Sequence, residues 1–187
     1  MDTFEAIKMR ASLKTRFSSR DVETEKIRAI LNAACLAPSG RNRQPWRFIV
    51  VRGKDNIEYL VRRSFSEVNY PATIAPVIII ICSNPVDGIA VGGREYYLLD
   101  AGMAAQNMLL TATAMGLATH AIAGVEESEL KRILKIPTEF RFVLAIPVAY
   151  PTGSSYEQAS KERLSERVRK PLEEITYSNT WGESLNL

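Results

Sequence analysis

The stretch from Glu95 to Leu117 constrains this chain most, because it reads as one long helix that is apolar almost all round. A helix without a polar face must be buried on more than one side. Ala101, Gly102, Ala104, Ala105, Ala112 and Ala114 keep its surfaces small, so neighbouring elements can approach closely. At 187 residues, 46% of them hydrophobic, the chain fits one domain with a sizeable core. A single domain of this size has difficulty covering every face of such a helix, so a subunit interface is expected beside the monomer core.

The elements around it alternate irregularly between helix and strand. Asp2 to Met9 reads as a first helix, and a second, capped by Ser19 or Asp21, carries Ile27, Ile30, Leu31 and Ala34 at helical spacing until Pro38 stops it. Arg47 to Val51 is β-rich, and Asp55 to Phe65 returns to helical periodicity. The β-branched run Val77 to Cys82 predicts a strand covered on both faces. Thr119 to Ile122 and Phe142 to Val148 read as strands, and Glu126 to Leu134 and Glu157 to Arg167 as helices. The tail beyond Pro171 carries Ile175, Tyr177 and Trp181, which need a surface to lie on, in this chain or a partner's.

Counting sets several chemistries aside. One histidine, His120, and no Cys-x-x-Cys or His-Glu-x-x-His pattern leave no basis for a metal site, and His120 reads as a packed or hydrogen-bonded residue near a strand. Cys35 and Cys82 lie apart in apolar surroundings and read as two buried thiols. No glycine falls in a dinucleotide-binding, P-loop or nucleophile-elbow pattern. A net charge of +3 with interspersed signs gives no case for a nucleic-acid partner. The run Val77 to Cys82 is far too short to span a bilayer, and the amino terminus carries Asp2 and Glu5 rather than a signal-peptide pattern, so a cytoplasmic protein is expected. An enzyme built this way would bring in its chemistry as a cofactor.

Three segments carry hydrogen-bonding or charged equipment. In the loop Ala37 to Trp46, Pro38 and Pro45 fix φ, Gly40 permits a tight path, and Ser39, Asn42 and Gln44 can both donate and accept. That suits a flat heteroaromatic ligand, although an ordinary surface loop uses the same residues. Arg10, Lys14 and Arg16 near one end, and Arg167, Arg169 and Lys170 near the other, would form a phosphate site with Ser12 if the fold joined them, and solvated faces if not. Ala123 and Gly124 precede a helix opened by Glu126 to Ser128, where backbone can approach a planar ring and a helix terminus favours an anionic ring edge. Glu126, Glu127, Glu129, Glu173 and Glu174 suit solvated helix surface, and no catalytic role is assigned to them.

Taken together, Ala37-Pro38-Ser39-Gly40-x-Asn42-x-Gln44-Pro45-Trp46, Asp100-x-Gly102 with Gln106-Asn107, Met115-Gly116-Leu117, Ile136-Pro137, Arg169-Lys170-Pro171 and Trp181-Gly182 resemble the FMN-dependent nitroreductase family. The likeness runs in consistent order from Ile7 to Gly182. It implies an α+β, three-layer fold with a central mixed or antiparallel sheet flanked by helices, one domain over 1–187, and an intertwined homodimer. It implies one FMN at each of two subunit interfaces and a tail from about residue 171 to 187 packing on the partner. By motif, Arg10, Ser12 and Lys14 with Arg167 and Arg169 would bind the phosphate. Pro38, Ser39, Gly40 and Asn42 would come from the other subunit, Ala123 and Gly124 would line the ring, and Asn69 would reach the pyrimidine edge.

The implied activity is ping-pong transfer of a hydride from NADH or NADPH through flavin N5 to a nitroaromatic, quinone or similar small acceptor. No side chain is nominated as acid, base or nucleophile, and no metal, nucleic acid or membrane is involved. Same-fold alternatives are reductive dehalogenation, flavin cleavage, or a non-enzymatic FMN-binding or redox-sensing module. Ala11 stands where the family often has a second arginine, and Ala121 and Ala123 replace a frequent tryptophan and glycine, opening space near the ring. Little sequence between Cys82 and Glu95 is available for a substrate lid.

Overall fold

The structure is a computed structural model that describes residues 1–153 and 155–185, so residues 186 and 187 of the expected tail lie outside the described part. Its centre is β2 (Val77–Ser83), in which every residue is buried, as a continuous β-branched run demands. Alternation along the strand sends Val77, Ile79 and Ile81 to one face and Ile78, Ile80 and Cys82 to the other. The first set packs with α2 (Thr24–Cys35) and α4 (Tyr97–Ala114), the second with α3 (Lys54–Ser64) and α5 (Glu127–Leu134). The result is three layers, helices on both faces of a sheet.

Beside β2 run β1 (Trp46–Arg52) and β6 (Arg141–Ala149), and β6 also pairs with the short β5 (Ala118–Thr119), all antiparallel in the order β1-β2-β6-β5. One parallel bridge, Ser12 to Thr119, lays the segment after α1 (Thr3–Met9) along the outer edge of β5, which makes the sheet mixed there. The chain closes with α6 (Tyr156–Ser165) and an irregular tail. No helix among the described residues is long and apolar enough to cross a membrane.

The expected elements appear with shifted ends, and four details differ. The second helix starts at Thr24 after Glu23, with no side-chain cap; Asp21 instead accepts from the Val22 N–H at 2.9 Å. Cys35 is exposed, on the outward side of the last turn of α2, while Cys82 is buried and its thiol is pushed up to about 11 by that burial. Residues 84–96 hold a hairpin of β3 (Ala90–Val91) and β4 (Arg94–Glu95) joined by Gly92 and Gly93 at φ +57° and +76°, the left-handed pair a two-residue hairpin turn requires. More structure thus sits here than the length of the segment suggested.

The fourth concerns α4. Ala101, Ala104, Ala105, Met108 and Ala112 are buried against α2 and the sheet. The opposite side stays open: Leu98 and Leu99 are 51% and 56% exposed, and a methyl group added at Gly102 would meet nothing within 4 Å. One chain covers one side only. The tail is likewise uncovered, with Trp181 88% exposed and 4.7 Å from the Tyr177 ring.

Candidate functional site

The two basic ends of the chain meet. The Leu13 N–H donates to the Thr119 carbonyl at 2.9 Å, holding residues 10–14 beside β5. The Ala11 N–H donates to the buried Tyr156 hydroxyl at 3.0 Å, which also lies 3.4 Å from Thr113 Oγ1 at the end of α4. From beyond α6, Arg167 donates through Nη1 to the Lys8 carbonyl at 2.8 Å and through Nη2 to the Arg10 carbonyl. These bonds enclose a cleft of about 250 Å³ lined by Arg10, Ser12, Arg163, Arg167 and Arg169, with Glu166 at its wall.

Its charge is uncompensated. Among the described residues Arg163 pairs with Glu166 at 3.0 Å, whereas Arg10, Arg167 and Arg169 have no ion-pair partner. Burial first, then the nearby Arg10 and Arg169 charges, hold the Arg167 pKa below the ordinary arginine value. Like charges held together without a counter-ion fit a phosphate dianion, whose oxygens accept from guanidinium donors. Lys14 lines an adjoining cleft of about 230 Å³ with Ser12, Arg16 and Arg163. There Arg16 is bound to Glu162 at 2.5 Å. Arg163 joins both clefts and was missed in the sequence, where only its place one turn before Arg167 marked it.

A second cluster forms where β5 continues toward α5. The Ile122 N–H and carbonyl exchange bonds with Ala145 at 2.9 Å each, so the chain passes extended along β6 before reaching the exposed Ala123 and Gly124. The Ser66 N–H and Oγ both donate to the Gly124 carbonyl, at 3.0 and 3.2 Å, and Asn69 Nδ2 donates to Ser66 Oγ at 2.9 Å. A Cβ at position 124 would lie 2.9 Å from Ser66 Oγ, so a larger residue there would have to push that hydroxyl off the Gly124 carbonyl. Asn69 and Gly124, predicted separately, are therefore neighbours, and Ser66 joins them. Five residues, at most about 18 Å of chain, separate this amide cluster from Thr119 at the arginine cleft.

The loop Ala37 to Trp46 is ordered by different means from those expected. Left-handed backbone falls on Arg41, Asn42 and Gln44 (φ +53°, +55° and +50°), not on Gly40. Gly40 is required by packing instead, since a Cβ there would stand 2.6 Å from Ile89 Cδ1. The Gln44 N–H donates to Ser39 Oγ at 3.0 Å, and Gln44 Nε2 donates to the Asn42 carbonyl and Oδ1 at 3.3 and 3.2 Å. From outside the loop, the Gly40 N–H donates to Asp100 Oδ1 at 3.1 Å, and Arg43 Nη1 donates to the Gly88 carbonyl at 3.0 Å. The hairpin of residues 84–96 is thus fastened to this loop. Asp100 was marked in the sequence only as part of the family resemblance, with no role attached, and Arg43 was not singled out.

Within one chain the loop and the arginine cleft do not come together. Asp100 holds the loop near the start of α4, and Thr113 adjoins the cleft near its end, 13 residues or about 20 Å of helix away. Pro38, Ser39, Gly40 and Asn42 thus occupy one place, and Arg10, Ser12, Lys14, Arg167 and Arg169 another. No group of histidine, cysteine and carboxylate side chains among the described residues could hold a metal ion.

Comparison with known proteins adds four findings. Residues 7–150 match the profile described as the Nitroreductase family. A protein of Methanothermobacter thermautotrophicus, provisionally named an NADH dehydrogenase/NAD(P)H nitroreductase, is 35% identical over 159 residues, 81% of this chain and 78% of its own. A crystal structure of a nitroreductase family protein from Clostridium novyi superposes with a TM-score of 0.77 at 29% identity, covering 98% of this chain and 97% of the other. A provisionally assigned nitroreductase from Desulfovibrio desulfuricans, crystallised in complex with FMN, does so at 0.73 and 26% identity, over 97% of this chain and 98% of its own.

Proposed function

The chain belongs to the nitroreductase family, and from that premise we propose that it is an FMN-dependent NAD(P)H oxidoreductase acting as a homodimer on a small acceptor such as a quinone or nitroaromatic. The observation that carries this reading is the cluster of three arginines with no counter-charge, linked by a short extended segment to the Gly124, Ser66 and Asn69 amide cluster. Arg10, Arg167 and Arg169, with Ser12 and Lys14 beside them, hold the phosphate. Ala123 and Gly124 lie along the ring, and the Asn69 amide serves its hydrogen-bonding edge. Bound FMN supplies the two-electron chemistry, taking a hydride from NADH or NADPH and passing it to the acceptor.

The protein's own part is to bind, orient and shield. Pro38, Ser39, Gly40 and Asn42 are assigned to the flavin of the other subunit, a reading supported by the separation of about 20 Å along α4. The open side of α4, with Leu98, Leu99 and the uncrowded Gly102, is assigned to the partner, as is the surface under the tail residues Ile175 and Trp181. Glycine inside a helix costs roughly 0.5–1 kcal/mol relative to alanine, and nothing among the described residues accounts for Gly102; a closely packed partner would. Protein placement is expected to be cytoplasmic.

The purified protein should be yellow, carry about one FMN per subunit, and bleach when NADH or NADPH is added without oxygen. Colourless protein that FMN does not reconstitute would overturn the proposal. Bound FMN without NAD(P)H consumption would instead identify a binding or sensing module.

A further inference from the structure

His120 is the sole histidine, and its Nδ1 is buried without a hydrogen-bond partner among the described residues. It follows Thr119, which is bridged to Ser12 and accepts from Leu13, so its backbone adjoins the segment that borders the two basic clefts. Two cations act on the imidazole, Lys14 from the amino-terminal segment and Arg163 from α6, and both line those clefts. Glu162 and Glu166 share the cleft walls but are engaged by Arg16 and Arg163. The elements packed behind β5 add no charge nearby. The sole charged residue of α4 is Asp100, about 18 Å up the helix from Ala112, and that of β6 is Arg141, at the opposite end of the strand from Val148.

We infer that His120 is the proton-accepting partner of the phosphate cleft: when a phosphomonoester dianion settles there among Arg10, Arg163, Arg167 and Arg169, the imidazole takes up one proton from solvent. Burial first, then Lys14 and Arg163, lower the His120 pKa in the empty protein, which favours the neutral ring there. A dianion in the cleft offsets the two cations and favours the imidazolium. By linkage the ligand binds more tightly as pH falls from above the loaded pKa to below the empty one, by about tenfold for each unit of pKa that loading restores. The inference rests on the assignment of the arginine cleft to a phosphate.

A single histidine makes the test direct. The imidazole resonances of the wild-type protein are titrated by NMR alone, with inorganic phosphate, with FMN and with riboflavin. FMN and phosphate should move the midpoint upward, and riboflavin, which has the ring but no phosphate, should leave it unchanged. FMN affinity measured against pH for wild type and His120→Gln should diverge as pH falls, the comparison cancelling the ligand's own titration. A midpoint unmoved by bound FMN, or one moved equally by riboflavin, overturns this inference while leaving the flavin reading intact. Failure to bind either FMN or phosphate overturns both.

Discussion

Replacing Asp100 by alanine tests what fixes the loop Ala37 to Trp46. Asp100 is 2% exposed in the first turn of α4; its Oδ1 accepts the Gly40 N–H at 3.1 Å, and its Oδ2 is buried without a partner among the described residues. A hydrogen bond to a charged acceptor contributes about 1.5–3 kcal/mol, and alanine removes it from the loop. Alanine also removes a buried oxygen whose unpaired state costs about 1–3 kcal/mol, moderated by its place at a helix amino terminus. The two effects offset globally, so urea denaturation should find Asp100→Ala within about 1 kcal/mol of wild type. The loop itself loses the whole bond, so FMN affinity, followed by flavin fluorescence, should fall about ten- to a hundredfold. Asp100→Asn keeps an acceptor oxygen and should bind FMN close to wild type. An alanine variant with unchanged affinity, or an asparagine variant as weak as alanine, would refute the anchoring role.

Arg169 is exposed and, among the described residues, bonds only the Val168 carbonyl at 2.7 Å, so Arg169→Ala should leave stability within about 0.5 kcal/mol. It should lower FMN affinity about tenfold or more, and undiminished affinity would strike it from the phosphate site. At Gly88 an added Cβ would lie 2.8 Å from Tyr97 Cβ and 3.3 Å from its backbone N and Cα, which α4 holds in place. Gly88→Ala should therefore cost about 1–3 kcal/mol in urea denaturation, and a neutral result would mean that the hairpin shifts freely. Asn42→Leu and Arg10→Ala should each lose flavin as homodimers, while a mixed dimer of the two regains one intact site; no recovered flavin would sink the cross-subunit assignment.

The layers were legible where periodicity carries the information. A six-residue apolar run such as Val77 to Cys82 has only one comfortable place, the middle of a covered sheet, and it lies there. The loop was legible in its rigidity but not in its reasons. Its strained positions fall on Arg41, Asn42 and Gln44, and Gly40 answers to Ile89, 49 residues on, which no local pattern reveals. The joining of the basic ends was undecided in sequence because it depends on tertiary bonds such as Arg167 to Lys8. Ser66 and Arg163 escaped notice for the same reason: a serine after a helix and an arginine on a charged helix look like ordinary surface until the neighbours arrive.

Arg167 reaches back 159 positions to the Lys8 carbonyl. During synthesis on the ribosome, the amino-terminal half of the arginine cleft therefore waits for most of the chain to emerge, and no product that stops before Arg163 contains both of its sides. Loop closure over such a span is slow compared with local helix formation. On the proposed reading of the cleft, anion capture is a late checkpoint of maturation: a molecule that retains the ligand is one whose two ends have already found each other.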